Sequence, residues 1–280
     1  MAALEIVKIS RWTEIPWLRH GFSTRKGGVS TVYGGESLNL GWTREDDPTR
    51  VAENRMLLRK EVSDAPAMPL VTVRQVHSNR VLAVVGEEAF QGRLETPEGK
   101  AVLEGDGLIT NAPGVLLAAG TADCIPVLVV DPVRKAIGAF HAGWRGTAAH
   151  IVEYGLEAMA REYGSRREDM LAAIGPGIGA CCYTVGEEVR EQFRSEFSYG
   201  DELFRTAAGE RGQLQLRIDL WEANRRQLID QGVPADRIAM VKECTACTFE
   251  TDGRRKYFSH RADAGVTGRM LNLIGISATA

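Results

Sequence analysis

The most constraining feature of this chain is a closely spaced series of strand-length apolar runs in the middle of its 280 residues. They span residues 115–119, 125–130 and 136–140, and Asp131 followed by Pro132 marks a turn between the last two. Neighbouring strands joined by such short turns argue against a repeated strand–helix–strand array, in which a crossover helix separates successive strands. The pattern therefore predicts a mixed α+β fold.

Helix signals lie on both sides of these runs. Asp47 followed by Pro48 predicts a helix start, because aspartate caps the first free amides and proline fits the first helical turn. Amphipathic spacing predicts one long helix over residues 146–163, with Tyr154 among its apolar positions. A closing helix is predicted over residues 267–276.

Two runs rich in β-branched residues predict a strand pair upstream of the central runs. They span residues 69–76 and 81–85, and residues 77–80 would join them. The polar stretch 86–105 that follows predicts an exposed excursion. Because the chain shows no internal repeat, low-complexity tract or Pro/Ser linker, we expect a single domain over residues 1–280.

The composition argues against several classes of partner. With 44% hydrophobic and 25% charged residues the chain has the make-up of a globular protein. Its net charge of −3 gives no electrostatic reason to bind nucleic acid or an acidic membrane. The longest apolar runs have strand length, and the N-terminal residues lack a basic segment followed by an apolar one. A cytoplasmic location is therefore predicted.

Five cysteines in so long a chain argue against a disulfide framework. Cys181 and Cys182 form a vicinal pair, and Cys244 and Cys247 form a CxxC pair. Neither pair has a second CxxC partner at zinc-ribbon spacing. The sequence therefore favours buried thiols over structural zinc at these four positions.

Three further side chains with metal-binding atoms flank the apolar runs. Cys124 directly precedes one run, His141 directly follows another, and His77 directly follows a third, residues 69–76. One thiolate and two imidazoles suit Zn²⁺ or copper, and three protein ligands leave a fourth tetrahedral position for water or substrate. The neighbouring Asp123 is predicted to orient a ligand or to relay a proton, with a turn-capping aspartate as the alternative.

The same residues allow a second interpretation. Cys124 can act as a thiolate nucleophile, with His141 or His77 as its base. The spacing in the sequence does not separate the two interpretations. The second histidine favours the metal, because a nucleophilic pair needs only one.

Stretches along nearly the whole chain resemble the YfiH/YlmD family, also called the laccase-domain or polyphenol oxidoreductase family. Two of them are TADCIP at residues 121–126 and HAGWRGT at residues 141–147, which contain Cys124 and His141. The other matching stretches are residues 20–30, 37–41, 46–48, 53–55, 75–77, 106–110, 175–183 and 267–270.

The resemblance implies layered mixed sheets flanked by helices, and a metal site of zinc or copper held by Cys124, His77 and His141. It also implies purine nucleoside phosphorolysis, in which adenosine, inosine and methylthioadenosine give the free base and ribose 1-phosphate. Adenosine deamination and a laccase-like oxidation of phenols accompany this activity in the family. The expected partners are a nucleoside and phosphate, without nucleic acid or membrane. The oligomeric state stays open, and a monomer is compatible with the sequence.

Phosphorolysis requires a phosphate site, and the sequence has no P-loop that would form one. Cations and backbone amides must therefore hold the phosphate. The predicted phosphate-binding residues are Arg25, which lies near a glycine pair, Arg145 and Arg261. Asn39 is predicted as a further substrate contact.

One departure from the family pattern lies near the C-terminus. Where the family has Phe-Ser-Tyr-Arg-Arg-Asp, residues 258–263 have the sequence FSHRAD. Ala262 stands where the family has its second arginine, so no such arginine is available here. His260, in place of the tyrosine, is a candidate for an extra metal ligand or an acid. Deamination also needs a group that transfers protons, and Asp123 is the predicted residue.

Three other functions remain alternatives. A copper phenol oxidase of the multicopper type needs several His-x-His motifs, which five scattered histidines do not provide. A Cys–His hydrolase acting on cell-wall precursors would use Cys124 without a metal. A non-catalytic interaction protein would have no use for clustered ligands.

Overall fold

Two β-sheets stacked face to face form the centre of the computed structural model, which describes residues 3–63, 68–209 and 213–278. The strands are β1 (Ile6–Val7), β2 (Leu18–Ser23), β3 (Leu70–Val71), β4 (Val81–Ala83), β5 (Gly107–Thr110), β6 (Leu116–Thr121), β7 (Ile125–Asp131), β8 (Ala136–Ala142), β9 (Leu171–Ile174), β10 (Phe204–Ala208), β11 (Leu214–Ile218), β12 (Ile238–Met240) and β13 (Met270–Ile276). One sheet has the order β1-β2-β13-β6-β3 and the other β12-β9-β7-β8-β5-β4. The strands β10 and β11 form a separate antiparallel pair.

Helices pack on both large sheets. They are α1 (Pro48–Val62), α2 (Gly86–Phe90), α3 (Trp144–Ala148), α4 (Ile151–Tyr163), α5 (Glu187–Glu196) and α6 (Leu220–Asp230). Side chains of α1 pack on the five-stranded sheet, and those of α3 to α6 pack on the six-stranded sheet. The predicted α+β fold with layered mixed sheets flanked by helices is confirmed. No helix in the described part of the chain has both the length and the apolar character needed to cross a membrane.

Side chains of β7 point alternately into two layers of core. Leu128 packs between the sheets with Leu117 of β6 and Ile274 of β13. Its neighbours Val127 and Val129 pack in the layer between the six-stranded sheet and the helices. Because both faces of β7 are buried, its sequence is an unbroken apolar run without alternation.

The helix α1 begins where the sequence predicts. The Asp47 carboxylate accepts a hydrogen bond from the Thr49 amide at 2.8 Å, and Pro48 is the first helical residue. Val51 and Leu58 lie on the buried face of this helix.

Residues 267–276 do not form the predicted helix, and this prediction was wrong. Their main part is β13, which lies between β2 and β6 and is buried along its whole length. An apolar run this short has no period that separates a buried strand from a buried helix. Backbone partners on both sides stabilise the strand, and they come from segments far away in the chain.

The single helix predicted over residues 146–163 is two helices, α3 and α4. Helical conformation is interrupted at Ala149 and His150, and His150 has a left-handed φ of 63°. The break allows α3 to begin directly after β8 while α4 turns its apolar face, including Leu156, onto the sheet. Tyr154, predicted among the apolar positions, is 50% exposed.

The predicted strand pair around residues 77–80 is also wrong. β3 belongs to the five-stranded sheet and pairs with β6, whereas β4 belongs to the six-stranded sheet and pairs with β5. The segment between them crosses from one sheet to the other. The backbone amides of Val76, His77 and Ser78 in this segment donate to the carboxylate of Asp106. They therefore do not form the hydrogen-bond ladder of a hairpin.

Candidate metal centre

Two crossings between the large sheets bring the site together. The chain leaves the five-stranded sheet at Thr121 and enters the six-stranded sheet at Ile125, so Cys124 lies on the first crossing. His77 lies on the second crossing, between β3 and β4. Both crossings contain a residue with positive φ, Asp123 at 95° and His77 at 61°. The ligand atoms of Cys124 and His77 meet at the same end of the stacked sheets.

Antiparallel pairing adds the third ligand. His141 of β8 lies opposite Pro126 of β7, which places it next to Cys124. The ligand atoms of His77, Cys124 and His141 all lie within 4.8 Å of one another. His77 Nε2 is 3.9 Å from Cys124 Sγ, and the two imidazole rings are 5.0 Å apart between centroids.

These distances fit a tetrahedral metal ion. Bond lengths of about 2.3 Å to sulfur and about 2.0–2.1 Å to nitrogen place two such ligand atoms about 3.6 Å apart. The Nδ1 atom of His141 is engaged by Asp106, which leaves Nε2 free to face the metal position. His77, Cys124 and His141 can therefore hold Zn²⁺ or copper with an open fourth position.

The buried carboxylate of Asp106 organises this group. It accepts hydrogen bonds from the His77 amide at 3.0 Å, the Ser78 amide at 2.6 Å and the Ser78 hydroxyl at 2.7 Å. It also bonds Nδ1 of His141 at 2.8 Å. Sequence reasoning assigned Asp106 no role. The available signal was an acidic residue directly before a strand, inside one of the stretches that resemble the family.

Charge couples the groups of this site. Burial alone would lower the pKa of His141, but the Cys124 thiolate and the bond to Asp106 outweigh it and raise the pKa to about 9. Burial alone would raise the pKa of the Cys124 thiol, but His141 and His77 outweigh it and lower the pKa to about 6. Hydrogen bonds from His141 and Ser78 outweigh burial at Asp106 and lower its pKa to about 2. The thiolate is therefore available as a ligand near neutral pH.

Gly143 leaves room for the ligands. A Cβ atom at this position would lie 2.9 Å from Cys124 Sγ and 3.1 Å from Cδ2 of His77. Both contacts are closer than ordinary van der Waals separation. A side chain at residue 143 would displace two of the three metal ligands, which accounts for a small residue directly after the His141 strand.

A cavity of about 400 Å³ opens above the three ligands. Its aromatic and aliphatic surface comes from Trp144, Tyr183, Ile178 and Leu220. Its polar lining residues are Gln75, His77, Asp123, Cys124, His141, Arg145, His260, Arg261 and Arg269. The volume and the mixed lining suit a small molecule that has both a flat apolar part and an anionic part.

Asp123 lines this cavity, but both oxygens of its carboxylate accept hydrogen bonds from residues of two other loops. Oδ1 accepts a hydrogen bond from the Thr245 hydroxyl at 2.6 Å, and Oδ2 accepts one from the Arg261 amide at 2.7 Å. Asp123 is buried, and in this arrangement its carboxylate positions Arg261 beside the cavity.

The predicted phosphate-binding residues divide into two groups. Arg145 and Arg261 line the cavity, and Arg269, which was not predicted, joins them. Arg25 lines a different cavity, where its guanidinium bonds the Tyr33 carbonyl and lies 5.1 Å from the Phe258 ring centroid.

Asn39 also lies outside the cavity. It is fully buried and binds Asp46 through Nδ2 at 2.7 Å. Its Oδ1 accepts a hydrogen bond from the Arg269 amide at 2.9 Å. Asn39 therefore supports a cavity arginine and makes no contact with the cavity itself. His260 lines the cavity but does not belong to the group of three ligands.

The expectation of four buried thiols elsewhere in the chain was wrong. Cys244 is buried, Cys182 is half-buried, and Cys181 and Cys247 are exposed. The two pairs are distant in sequence, yet their sulfur atoms come together in one group. The absence of a second CxxC motif therefore did not prevent a four-cysteine cluster.

Comparison with known proteins assigns the family. Residues 19–277 match the family described as multi-copper polyphenol oxidoreductase laccase. The chain is 37% identical over 273 residues to the purine nucleoside phosphorylase YlmD of Geobacillus stearothermophilus, covering 92% of this chain and 94% of that protein. It is 36% identical over 228 residues to the adenosine deaminase RL5 of an unknown prokaryotic organism, covering 81% and 84%. The crystal structure of a hypothetical protein YfiH of Bacillus licheniformis aligns with a TM-score of 0.85 at 34% identity, covering 98% of this chain and 97% of that one. The chain therefore belongs to the polyphenol oxidoreductase laccase family, together with the YfiH and YlmD proteins.

Proposed function

We propose that this protein is a metal-dependent purine nucleoside phosphorylase that converts adenosine, inosine and methylthioadenosine to the free base and ribose 1-phosphate. The observation that carries the proposal is the position of the Cys–His–His group in a cavity that also contains three arginines. The purine nucleoside phosphorylase YlmD, which is similar over nearly its whole length, supports the same reaction class.

His77, Cys124 and His141 would hold the metal, which is zinc or copper by the chemistry of the ligands. When bound, the ion supplies Lewis acidity in the cavity. Asp106 keeps His141 in the tautomer that presents Nε2, and it fixes the backbone of His77 through the amide. One carboxylate thus holds two ligands in place before a metal or substrate arrives.

The cavity lining provides aromatic surface for the base and arginines for the phosphate. The rings of Trp144 and Tyr183 provide flat apolar surface for a purine. Arg145 lies 4.3 Å from the Trp144 ring centroid and Arg261 lies 5.2 Å from the Tyr183 ring centroid. Each arginine is therefore held beside an aromatic wall, where its guanidinium can bind phosphate and bring it toward C1′ of the ribose.

Phosphorolysis breaks the bond between C1′ and the purine nitrogen and forms a bond between C1′ and a phosphate oxygen. The leaving purine takes up a proton. His260 lines the cavity and is our candidate for supplying it. Asp123 acts as a positioning residue, because its carboxylate oxygens already bind Thr245 and the Arg261 amide.

Adenosine deamination is proposed as an accompanying activity, supported by the similarity to the adenosine deaminase RL5. The same cavity would bind the nucleoside, with water as the second reactant. The nucleoside and phosphate are the proposed partners. A cytoplasmic location remains a prediction from the sequence.

The metal ligands can be tested with two matched histidine variants. His77 and His150 both have left-handed φ, 61° and 63°, and asparagine tolerates this conformation. His77→Asn and Cys124→Ala should lower kcat/KM for adenosine phosphorolysis by more than about 100-fold. His150→Asn should leave it unchanged, because His150 pairs with Glu153 and lies outside the cavity lining. Formation of adenine and ribose 1-phosphate is the measurement, and unaltered turnover in both ligand variants would contradict the proposal.

The phosphate site has its own test. Arg145→Ala and Arg261→Ala should raise KM for phosphate roughly 10- to 100-fold, because each removes a charge-assisted bond. Arg25→Ala is the control, since Arg25 lines another cavity. If KM for phosphate rises most in Arg25→Ala, the phosphate lies outside the proposed site.

One observation favours a second function, a metal-free Cys–His hydrolase acting on cell-wall precursors. The lowered pKa of Cys124, about 6, suits a thiolate nucleophile beside His141. Protein stripped of metal should lose phosphorolysis under our proposal. Retained activity that thiol alkylation abolishes would favour the hydrolase, and stoichiometric copper in protein purified without added copper would favour phenol oxidation.

A further inference from the structure

Four cysteines outside the cavity form a second group of metal-binding atoms. The sulfur atoms of Cys181, Cys182, Cys244 and Cys247 all lie within 4.8 Å of one another. Cys181 and Cys182 follow β9, and Cys244 and Cys247 follow β12. β9 and β12 are parallel neighbours, so the segments after their carboxyl ends emerge at the same edge of the six-stranded sheet.

The geometry matches a tetrahedral ion held by four thiolates. With bonds of about 2.3 Å to zinc, the sulfur atoms of such a site lie about 3.8 Å apart. The Cys181 and Cys247 sulfur atoms are 3.6 Å apart, which is far longer than the roughly 2.0 Å of a disulfide bond. All five cysteines of the chain are free thiols in this structure.

Groups next to the cluster would offset part of the negative charge of four thiolates. The Gly179 amide donates a hydrogen bond to Cys244 Sγ at 3.2 Å. Arg217 donates to the Cys181 carbonyl at 2.5 Å, and Arg255 donates to the Ala246 carbonyl at 3.2 Å. Amide donors to sulfur and nearby cations are the environment that stabilises a zinc–thiolate centre.

We propose that Cys181, Cys182, Cys244 and Cys247 bind one Zn²⁺ ion in a closed structural site, separate from the Cys–His–His group. Binding releases the thiol protons to solvent and forms four zinc–sulfur bonds. Thiolate ligands select zinc over magnesium, calcium or manganese. Because all four positions are protein ligands, no position remains for a substrate.

This site would hold together two segments that border the cavity. Tyr183, which lines the cavity, directly follows Cys182. Thr245 lies between the cysteines of the CxxC pair, and its hydroxyl binds Asp123 at 2.6 Å. The Thr245 amide also binds the Gly177 carbonyl at 3.0 Å. A zinc ion would therefore connect a wall of the cavity to the segment that fixes Asp123.

The test uses full-length Cys124→Ala protein, in which the Cys–His–His group has lost its thiolate. Purified under reducing conditions without added metal, this protein should contain about one zinc ion per chain. Cys124→Ala combined with His77→Asn should retain that zinc. Cys124→Ala combined with Cys247→Ser should lose it, and the exposed position of Cys247 limits the damage to packing. Equal zinc in all three proteins would overturn the proposal.

A second measurement does not require the Cys247→Ser variant, so it still tests the proposal if that variant does not fold. Cobalt added to metal-stripped Cys124→Ala protein should produce the absorption of Co²⁺ bound to four thiolates. Absence of this absorption, or thiol counts that show Cys181 and Cys247 joined in a disulfide under reducing conditions, would overturn the site. Neither measurement uses the nucleoside reaction, so their outcome is independent of the proposed function.

Discussion

The Asp106 carboxylate shows how a single residue can control a site that it does not itself complete. It bonds the ring of His141 and the backbone amide of His77, so it acts on one ligand from β8 and on one from the crossing between β3 and β4. Together with the larger effect of the Cys124 thiolate, the hydrogen bond and the charge of Asp106 raise the pKa of His141. The position of this carboxylate therefore helps to fix the geometry of both ligands.

Replacing Asp106 by asparagine should lower the zinc affinity of the Cys–His–His group about 10- to 100-fold. The side-chain amide of asparagine can either donate or accept, so it does not fix the tautomer of His141 as the carboxylate does. Competition with a chromophoric chelator measures this affinity, with this variant and its control made in the Cys247→Ser background so that the Cys–His–His group alone binds the ion. Asp131→Asn is the matched control, since Asp131 is also buried and also accepts backbone amides, those of Val133 and Arg134. Both variants should lose stability, but only Asp106→Asn should lose zinc affinity. Equal zinc affinities in the two variants would show that Asp106 has a merely structural role.

Strand β2 contains a buried histidine, His20, which should make the five-stranded sheet sensitive to acid. His20 Nε2 accepts a hydrogen bond from the Ile9 amide at 2.9 Å, and its ring lies 5.2 Å from the Trp12 ring centroid. Burial and the nearby Lys8 charge lower its pKa from 6.5 to about 4. The folded protein therefore keeps this ring neutral where the unfolded chain would protonate it.

The contribution of His20 to the free energy of unfolding should be complete above pH 6.5 and should disappear as the pH falls to about 4. The unfolded state binds the extra proton in this window, which costs the folded state about 3 kcal/mol in total. Urea unfolding of the native chain and of His20→Gln across this window measures the effect. The native chain should lose more stability than the variant, and parallel pH profiles would rule out His20 as the source.

The Cys–His–His group and the four-cysteine cluster both lie at one end of the stacked sheets. Cys124 and His77 lie on crossings between the sheets, and Thr245 connects the four-cysteine cluster to Asp123. Metal ions that bind the folded chain and not the unfolded chain stabilise the fold by mass action. The two proposed sites should therefore contribute separately to thermal stability.

Metal removal should lower Tm in proportion to the number of sites that are lost. An ion present at about 1,000 times its Kd contributes about 4 kcal/mol, which corresponds to roughly 8 °C for a chain of this size. A strong chelator should lower the Tm of the native chain by more than that of Cys124→Ala, which has lost the thiolate of one site. Identical shifts in both proteins would show that the Cys–His–His group binds no metal.

Much of the fold could be predicted because it depends on local signals. The apolar runs of β6, β7 and β8 and the cap at Asp47 act within a few residues of chain. The predictions failed where distant segments decided the outcome. Partners on both sides make β13 a strand, and Asp106 holds the crossing that was predicted as a turn between paired strands.

The sequence by itself determined the candidate ligands, because a thiol and two imidazoles beside apolar runs are recognisable from residue type and position. It also determined the α+β class through the short turns between strands. Only the tertiary structure decided that Arg145, Arg261 and Arg269 share the cavity while Arg25 does not. It likewise decided that the two cysteine pairs meet, since the parallel pairing of β9 with β12 brings together segments more than 60 residues apart. Distances in space depend on strand pairing across the whole chain, and a linear sequence read alone does not specify that pairing.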